Sequence, residues 1–405
     1  MNVTHSLKEL STSPFVALWI ASFVIGTLSA PMMSLLAIYV EAELGRTPLF
    51  SAGLRSLFIL LGGLFAVPAG ILCDKIGTKK TYVIGSTGAL VSGLIFLTDQ
   101  PAWLVAICVY IGVATGFSTT ASQAYLIHAA PRSSLGLGSA AFFLGSTLGS
   151  ALGNRLTGLV VDTAGFRTIG VWMSAAMLVV LVGIILLMPE LASRPAVGVR
   201  SRASWRDYTR LFARPSIRLL VGVRYLPTCY WGAATLLIPL LIFRATGTTS
   251  SAANYIAVSL CVASLFQVVT GRLCDRFGPK TPALVASIGV TASALLTAVF
   301  ARSALGLYVF GVTGATAAWS LSTTMPGIIN DVSGPDEKGQ VVGMAHLSWS
   351  AGMLTGSLWG GTAVEWSAGL PFYVVTACGG ATVVLLAALF KMQRGTMNGF
   401  PLSRE

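Results

Sequence analysis

Charged side chains are scarce in this chain. Only 10% of its 405 residues are Asp, Glu, Lys or Arg, whereas a soluble globular protein carries about a quarter. Hydrophobic residues make up 54% of the chain and gather in long runs. The net charge of +12 has no soluble domain on which to form a nucleic-acid-binding face, so we expect no nucleic-acid partner. This composition is typical of a protein embedded in a lipid bilayer.

The sequence also lacks the patterns that hold metals, nucleotides and catalytic groups. The six cysteines form no CxxC pair, and we interpret them as small apolar packing residues without a disulfide framework. There is no GxxxxGK[ST] loop, so ATP is not expected to drive the protein. No His, Asp, Glu and Cys residues cluster as a membrane enzyme would require. The sequence therefore predicts a protein that is not an enzyme and needs no cofactor or metal.

Twelve apolar runs are long enough to cross a bilayer, which takes about 20 residues each. They lie at about 15–40, 50–72, 81–98, 102–129, 135–161, 167–188, 216–243, 251–273, 282–301, 304–330, 339–364 and 370–391. The sequence predicts an all-α membrane protein with twelve transmembrane helices in two pseudo-symmetric six-helix bundles. We place the first bundle at 1–188, a cytoplasmic linker at 189–215 and the second bundle at 216–405.

The distribution of positive residues predicts the orientation in the membrane. If the N-terminus is cytoplasmic, nineteen of the 26 Lys and Arg residues face the cytoplasm, four lie outside and three lie within spans. Cytoplasmic loops of membrane proteins carry such an excess of positive charge. We therefore expect a multi-pass protein of the inner or plasma membrane with both termini in the cytoplasm.

A loop motif occurs twice, once in each predicted half. Its two copies begin at Gly70 and Gly271, which are 201 positions apart. The shared residues are Gly70, Asp74, Lys75, Gly77 and Lys79 in the first copy and Gly271, Asp275, Arg276, Gly278 and Lys280 in the second. A repeat at half the chain length indicates two copies of one structural unit.

These motifs resemble those of the major facilitator superfamily, which stand between helices two and three and again between helices eight and nine. The resemblance implies a transporter in which Asp74 faces the start of helix eleven near Gly339–Val341, and Asp275 faces the start of helix five near Gly136–Gly138. A carboxylate is favoured at a helix N-terminus, so two such contacts would close a cytoplasmic gate. The alternative is a basic loop that only sets the topology.

Helices five and eleven share a second repeat. Glycines stand four apart in both predicted helices, at Gly145, Gly149 and Gly153 and at Gly352, Gly356 and Gly360. Small residues at this spacing form a flat face for close helix packing. The chain also departs from the resemblance, since Ser150 stands where exporters of that family often carry proline and residues 103–129 contain no Arg or Lys. The serine weakens an antiporter assignment, and the lack of a base in helix four indicates that any coupling is arranged differently or is absent.

Ionisable residues within spans are costly and therefore usually functional. No acid lies near the middle of a span, but Arg55, Arg155 and Arg224 do lie within spans. Snorkelling to the nearer interface is the alternative for each arginine. The predicted substrate-binding residues are Arg224, Thr228, Trp231, Arg155, Gln123, Trp319 and Ser320. The alternative for the hydroxyl groups is hydrogen bonding between helices.

His346 is the one histidine well inside a span, and it is the candidate for proton coupling, although a structural role is the more frequent one for a lone buried histidine. The resemblance and these residues predict a secondary active transporter that moves a small polar organic solute by alternating access. Proton-coupled efflux by a monomer is the leading form. Uptake or exchange of an organic anion is the first alternative, and a non-transporting membrane sensor of the same fold is the second.

Overall fold

The apolar runs form helices because a backbone surrounded by lipid must satisfy its hydrogen bonds within its own segment. The structure is a computed structural model that describes residues 12–129, 135–191, 205–333 and 338–398. In the first half α1 spans Ser13–Ala42, α2 Pro48–Ile76, α3 Thr78–Ser92 and α4 Pro101–Ala129. A 3₁₀ helix at Gly93–Leu97 extends α3. The helical segment Leu135–Leu187 is broken at Gly165, whose φ is 79°, so residues 135–164 form α5 and residues 166–187 form α6.

The second half repeats this order of helices. After a short linker helix at Trp205–Ala213 come α7 at Pro215–Thr246, α8 at Thr249–Phe277 and α9 at Lys280–Val299. The last three are α10 at Ala304–Val332, α11 at Lys338–Ala363 and α12 at Leu370–Asn398. Each of the twelve predicted spans coincides with one of these helices. The prediction of an all-α membrane fold is therefore confirmed.

Most of these helices are long and apolar enough to cross a membrane. Within the part of the chain that the structure describes, ten helical segments meet that condition, and one of the ten is the segment that Gly165 divides into α5 and α6. The helix α11 is not among them, since its 26 residues include a polar first turn and a series of small residues. Its packing against α7, described below, compensates for its low apolarity.

The chain divides into two compact units. The first contains Met1–Val199 together with Ile242–Cys261, and the second contains Arg200–Leu241 and Val262–Glu405. The end of α7 and the start of α8 therefore group with the first unit, through contacts described below. The division of the sequence into bundles at 1–188 and 216–405 stays a prediction.

The two glycine series bring helix backbones into direct contact. A Cβ on Gly149 would stand 2.0 Å from the carbonyl oxygen of Phe23 in α1. In the second unit a Cβ on Gly356 would stand 2.0 Å from the carbonyl oxygen of Cys229 in α7. Only glycine fits at such an approach. The predicted flat faces of helices five and eleven are confirmed, and they pack on α1 and α7 respectively.

The repeated loop motif makes the same turn in both units. Gly77 and Gly278 have φ values of 94° and 75°, which residues with a Cβ rarely adopt. Gly77 N donates to Cys73 O at 3.0 Å, and Gly278 N donates to Cys274 O at 2.9 Å. The two copies therefore share backbone geometry as well as sequence, and the motif glycines are needed for the turn between helices.

A methyl group added at Gly149 or Gly356 should destabilise the protein, because the Cβ would overlap a backbone carbonyl. Overpacking of this kind costs about 1–3 kcal/mol. Gly183 in α6 is the matched control, since nothing lies within 4 Å of a Cβ at that position. We expect Gly149→Ala and Gly356→Ala to lower the unfolding temperature in detergent and Gly183→Ala to leave it unchanged or raise it. Equal temperatures for all three variants would contradict the close approach.

Candidate functional site

A polar and aromatic cluster joins α7 to α10 in the second unit. Arg224 Nη1 donates to Ser322 Oγ at 3.1 Å. Two turns along α7, the rings of Trp231 and Trp319 meet edge to face with centroids 5.7 Å apart. We name Arg224, Trp231, Trp319 and Ser322 the α7–α10 cluster. The structure thus brings together three of the predicted substrate-binding residues and adds Ser322.

The hydroxyl groups beside this cluster are largely engaged with their own helix. Thr228 Oγ1 donates to Arg224 O at 2.6 Å, and Thr228 is buried. Thr235 Oγ1 likewise donates to Trp231 O at 2.6 Å. A hydroxyl bonded to the preceding turn has no proton left to donate to a ligand, although its oxygen can still accept. The Thr228 hydroxyl therefore stabilises its own helix and has no proton available for a ligand.

The indole nitrogen of Trp319 differs from these hydroxyls. It is buried, and no acceptor within hydrogen-bonding distance is found among the residues that the structure describes. A buried indole N–H normally finds a partner because desolvating it without one is costly. Ser320, the next residue along α10, is also buried, at 8% exposure. The cluster thus contains a half-buried guanidinium and a buried donor with unused hydrogen-bonding capacity.

The predicted residues of the first unit lie in different surroundings. Gln123 in α4 is exposed, and so is Thr119 one turn before it. Arg155 in α5 is also exposed, but the leucines on its face, Leu152 and Leu156, are exposed as well. A polar side chain exposed along a spanning helix is costly next to lipid. Gln123 and Thr119 therefore form a short polar face of α4, whereas Arg155 stands on an apolar face of α5.

Arg55 in α2 is the third base within a span, and the structure buries it. Its side chain is only 4% exposed. A snorkelling arginine would extend its charged end to the membrane surface and leave it exposed to water. The burial of Arg55 favours a place inside the helix packing of the first unit over that alternative.

An ion pair joins the ends of α1 and α7 within the first unit. Arg244 Nε donates to Glu41 Oε1 at 2.6 Å, and Arg244 Nη2 donates to Glu41 Oε2. The pair is bidentate, the geometry in which an arginine and a carboxylate bind most strongly. Both side chains keep part of their surface, 35% for Arg244 and 25% for Glu41. The pair is therefore a partly solvated contact.

A carboxylate also caps α8 from the end of α5. Asp162 Oδ1 accepts from Thr249 N at 2.7 Å, and Asp162 Oδ2 accepts from Ser250 N at 2.8 Å. These are the first two amides of α8, which have no partner within the helix. A Cβ on Gly158 would stand 2.4 Å from that of Ala253, so the two helices touch here. We name Glu41, Arg244, Asp162 and the first turn of α8 the outer latch, because all lie on the predicted outer side.

Sequence reasoning did not identify the outer latch. It anticipated a carboxylate at a helix N-terminus, but assigned that role to Asp74 and Asp275. Two signals could have located the latch. Asp162 is one of only 14 acids, and Glu41 and Arg244 are opposite charges at the ends of the two helices, one and seven, that the repeat relates.

The gating motif is described in part. The surroundings of Gly70 and the side chains of Asp74 and Asp275 lie outside what the structure describes, so the two predicted carboxylate contacts stay predictions. The bases of the motif do have partners within their own units. Lys79 Nζ donates to Ile185 O in α6 at 2.8 Å, and Lys280 Nζ lies 5.8 Å from the ring centroid of Phe390 in α12. In both copies the last base of the motif thus fastens the loop to the sixth helix of its half.

The coupling candidate His346 lies in α11, and its side chain is also outside the described residues. Within the described ranges, no group of three or more His, Cys, Asp or Glu residues could hold a metal ion. The α7–α10 cluster provides a guanidinium and two indole rings that could bind a ligand. The outer latch consists of polar contacts at the protein surface.

The amino-acid sequence is similar to those of several known proteins, at low identity and over part of their length. Two tetracycline resistance proteins of Escherichia coli, class B and class E, are 28% and 31% identical to this chain over 171 and 175 residues. These alignments cover 40% and 42% of this chain and 41% of each relative. An uncharacterised MFS-type transporter of Methanocaldococcus jannaschii is 27% identical over 163 residues, which are 40% of this chain and 42% of that protein. The chain therefore aligns with about two fifths of the length of these relatives.

Solved structures match nearly the whole chain. The nucleoside transporter NupG superposes with a TM-score of 0.77 at 16% identity, over 93% of this chain and 99% of that one. A bacterial homologue of the human lysosomal transporter Spinster gives 0.73 at 15% identity, over 96% and 98%. At such identities the likeness shows the fold alone. The sequence profile of the Major Facilitator Superfamily matches residues 18–262 and 229–405. The chain belongs to the Major Facilitator Superfamily.

Proposed function

We propose that this transporter exports a small polar organic solute by alternating access, driven by the entry of protons. The observation that carries the proposal is the α7–α10 cluster, where Arg224 and the buried N–H of Trp319 lie on helices that face each other within one unit. Transport sites of this kind need a few polar groups among apolar and aromatic side chains. The cluster has that composition.

The chemistry of the cluster indicates what it would bind. A guanidinium is a planar fork that pairs with a carboxylate or phosphate, and two indoles offer flat apolar faces. Arg224 is held by one neutral hydroxyl, Ser322 Oγ, so its charge is not neutralised by that contact. We therefore propose a substrate with a negative or strongly polar group next to a flat or aromatic part. Gln123 on α4 and Ser320 on α10 are proposed as further contacts, and Arg155 as a weaker one.

The direction of transport rests on the relatives. Two of them are named tetracycline resistance proteins, and export is one way in which a membrane protein confers resistance to a drug. Efflux is therefore the leading proposal. Uptake or exchange of an organic anion is the second candidate, and the specific observation that favours it is that Arg224 and Arg55 lie within helices whose described residues carry no acid near their middle.

The outer latch supports alternating access. Glu41, Arg244 and Asp162 bind through charges that keep partial access to water, so they can separate without leaving a buried charge. We propose that the latch holds the outer end closed and that Asp74 and Asp275 perform the same task at the opposite end. Both ends would then use carboxylates at helix N-termini. We also propose that both termini lie in the cytoplasm.

The proposed function is tested by transport into proteoliposomes. Everted vesicles or inside-out proteoliposomes should accumulate an aromatic organic anion or polar neutral solute when the lumen is acidic, and a protonophore should abolish accumulation. Equal fluxes with and without the pH gradient would overturn proton coupling. Saturable transport of a quaternary ammonium ion in preference to the anion would overturn the proposed substrate class.

The role of Arg224 predicts a graded loss of affinity. Arg224→Lys keeps the charge but loses the planar fork, so the affinity for an anionic substrate should fall, and Arg224→Ala should lose more. Truncating one partner of a desolvated charged contact costs about 2–5 kcal/mol. Trp319→Phe keeps the ring and removes only the N–H, and it should weaken binding by a smaller factor. Binding is measured on purified protein, normalised to the monodisperse fraction.

The exposed arginine Arg302, in the connection after α9, is the control for charge. Arg302→Ala should leave the affinity unchanged. If Arg224→Ala binds as tightly as the wild type, Arg224 is not in the substrate site.

The outer latch predicts a change in accessibility. Asp162→Asn removes the charge that faces the first turn of α8, an interaction of about 0.3–1 kcal/mol at exposed sites. We expect faster reaction of a Gln123→Cys probe, in a background without the native cysteines, with a membrane-impermeant thiol reagent added outside. Asp99 is an exposed acid on the same predicted side, and Asp99→Asn should react at the wild-type rate.

The ion pair allows a test by charge exchange. Glu41→Arg alone and Arg244→Glu alone should each accelerate labelling, and the double exchange should restore the slow rate because it re-forms the pair with reversed polarity. Labelling that does not respond to any of these changes would exclude the latch as a closure of the outer end.

A further inference from the structure

An apolar groove in the second unit shares one residue, Ser320, with the proposed transport contacts, and the rest of its lining has no part in them. It lies between α8, α9 and α10 and encloses about 740 Å³. Seven of its sixteen lining residues are valine, phenylalanine or leucine, and several of these keep a large exposed fraction, such as Val285 at 65%, Phe277 at 60% and Phe266 at 50%. A cavity of this size with such a lining holds an apolar ligand rather than water.

In the first unit, glycines bring the corresponding helices α2 and α4 close together. A Cβ on Gly112 would stand 2.9 Å from the Phe58 carbonyl oxygen, and one on Gly116 would stand 2.8 Å from the Gly62 carbonyl oxygen. In the second unit, Thr313 and Ala317 of α10 stand in the wall of the groove.

The groove has the length of one leaflet of a bilayer. Along α8 it extends from Val262, near the middle of that helix, to Phe277, its last residue. Fifteen helical steps rise about 22 Å at 1.5 Å per residue. Half of a hydrocarbon core about 30 Å thick measures about 15 Å, so the groove covers one leaflet and reaches the adjoining headgroup region.

Positive charge stands at the end of the groove that opens at the motif loop. Arg272 and Arg276 are exposed one turn apart on α8, beside the lining residues Leu273 and Phe277. The guanidinium carbon of Arg276 lies 5.2 Å from the ring centroid of Phe277. Lys280 is different, because its Nζ stands over the ring of Phe390 in α12. The apolar groove thus ends beside the two exposed bases Arg272 and Arg276 at the level of a headgroup.

We propose that this groove is a binding site for an anionic phospholipid of the bilayer, with an acyl chain between α8, α9 and α10 and its phosphate at Arg276 and Arg272. The apolar length selects a lipid chain, and the bases select a negative headgroup. In this position the lipid fills the space between three helices and lies against the second copy of the loop motif.

The proposal is tested by lipid retention on the purified full-length protein. The protein is equilibrated with phosphatidylglycerol or phosphatidylcholine in mixed detergent micelles and washed into lipid-free detergent, and the bound lipid is counted by native mass spectrometry. We expect phosphatidylglycerol to be retained in preference to phosphatidylcholine. Arg276→Gln should reduce retention of phosphatidylglycerol about fivefold, because a base at an anionic membrane surface contributes about 1 kcal/mol. Arg302→Gln, at the other end of α9, should leave it unchanged.

A second pair of variants tests the groove itself. Val285→Trp places an indole in the groove and should displace the acyl chain, whereas Val299→Trp, at an equally exposed position near the far end of α9, should not. If Val285→Trp is not monodisperse, Val269→Trp on the facing helix replaces it, since Val269 also lines the groove. Equal retention of both lipids would overturn the anionic headgroup, and full retention in the tryptophan variants would overturn the groove as the site.

Discussion

The contact between backbones at the two glycine series is the constraint on which the rest of the structure depends. Within a lipid bilayer the hydrophobic effect does not drive helices to associate, so close van der Waals packing has to hold them together. At Gly149 on Phe23 and at Gly356 on Cys229, a carbonyl oxygen occupies the place of a missing side chain. These contacts fix α1 against α5 and α7 against α11. Because α7 is held along its length, its opposite face is free to present Arg224 and Trp231 to α10.

Charge is used sparingly and almost entirely at helix ends. The described acids with firm contacts, Glu41 and Asp162, bind an arginine and the first amides of α8. Both contacts retain access to water, where an ion pair is weak and its loss costs little. The weakness suits a protein that has to alternate between two states, because a stronger closure would hold it in one of them.

The two halves of the repeat share the same backbone geometry but differ in the side chains that could bind ligands. Both motif copies turn at a glycine of positive φ, and both fasten their last base to the sixth helix of their half. The first half buries Arg55 and closes α2 on α4 through glycines, whereas the second half carries the α7–α10 cluster and the apolar groove. The repeat therefore maintains the scaffold, and substitutions within it create the two candidate binding sites.

The helices, their number and the glycine faces could be predicted from the amino-acid sequence, because the length of an apolar run and the spacing of small residues are local properties. The predicted span at 216–243, for example, corresponds to α7 at Pro215–Thr246. Which polar groups meet could not be predicted in this way. That Thr228 bonds its own helix, that Ser322 receives Arg224, and that Asp162 caps α8 depend on side-chain directions and on approaches between segments far apart in the chain. No local pattern encodes such distances, since they follow from how closely the glycines let the helices pack.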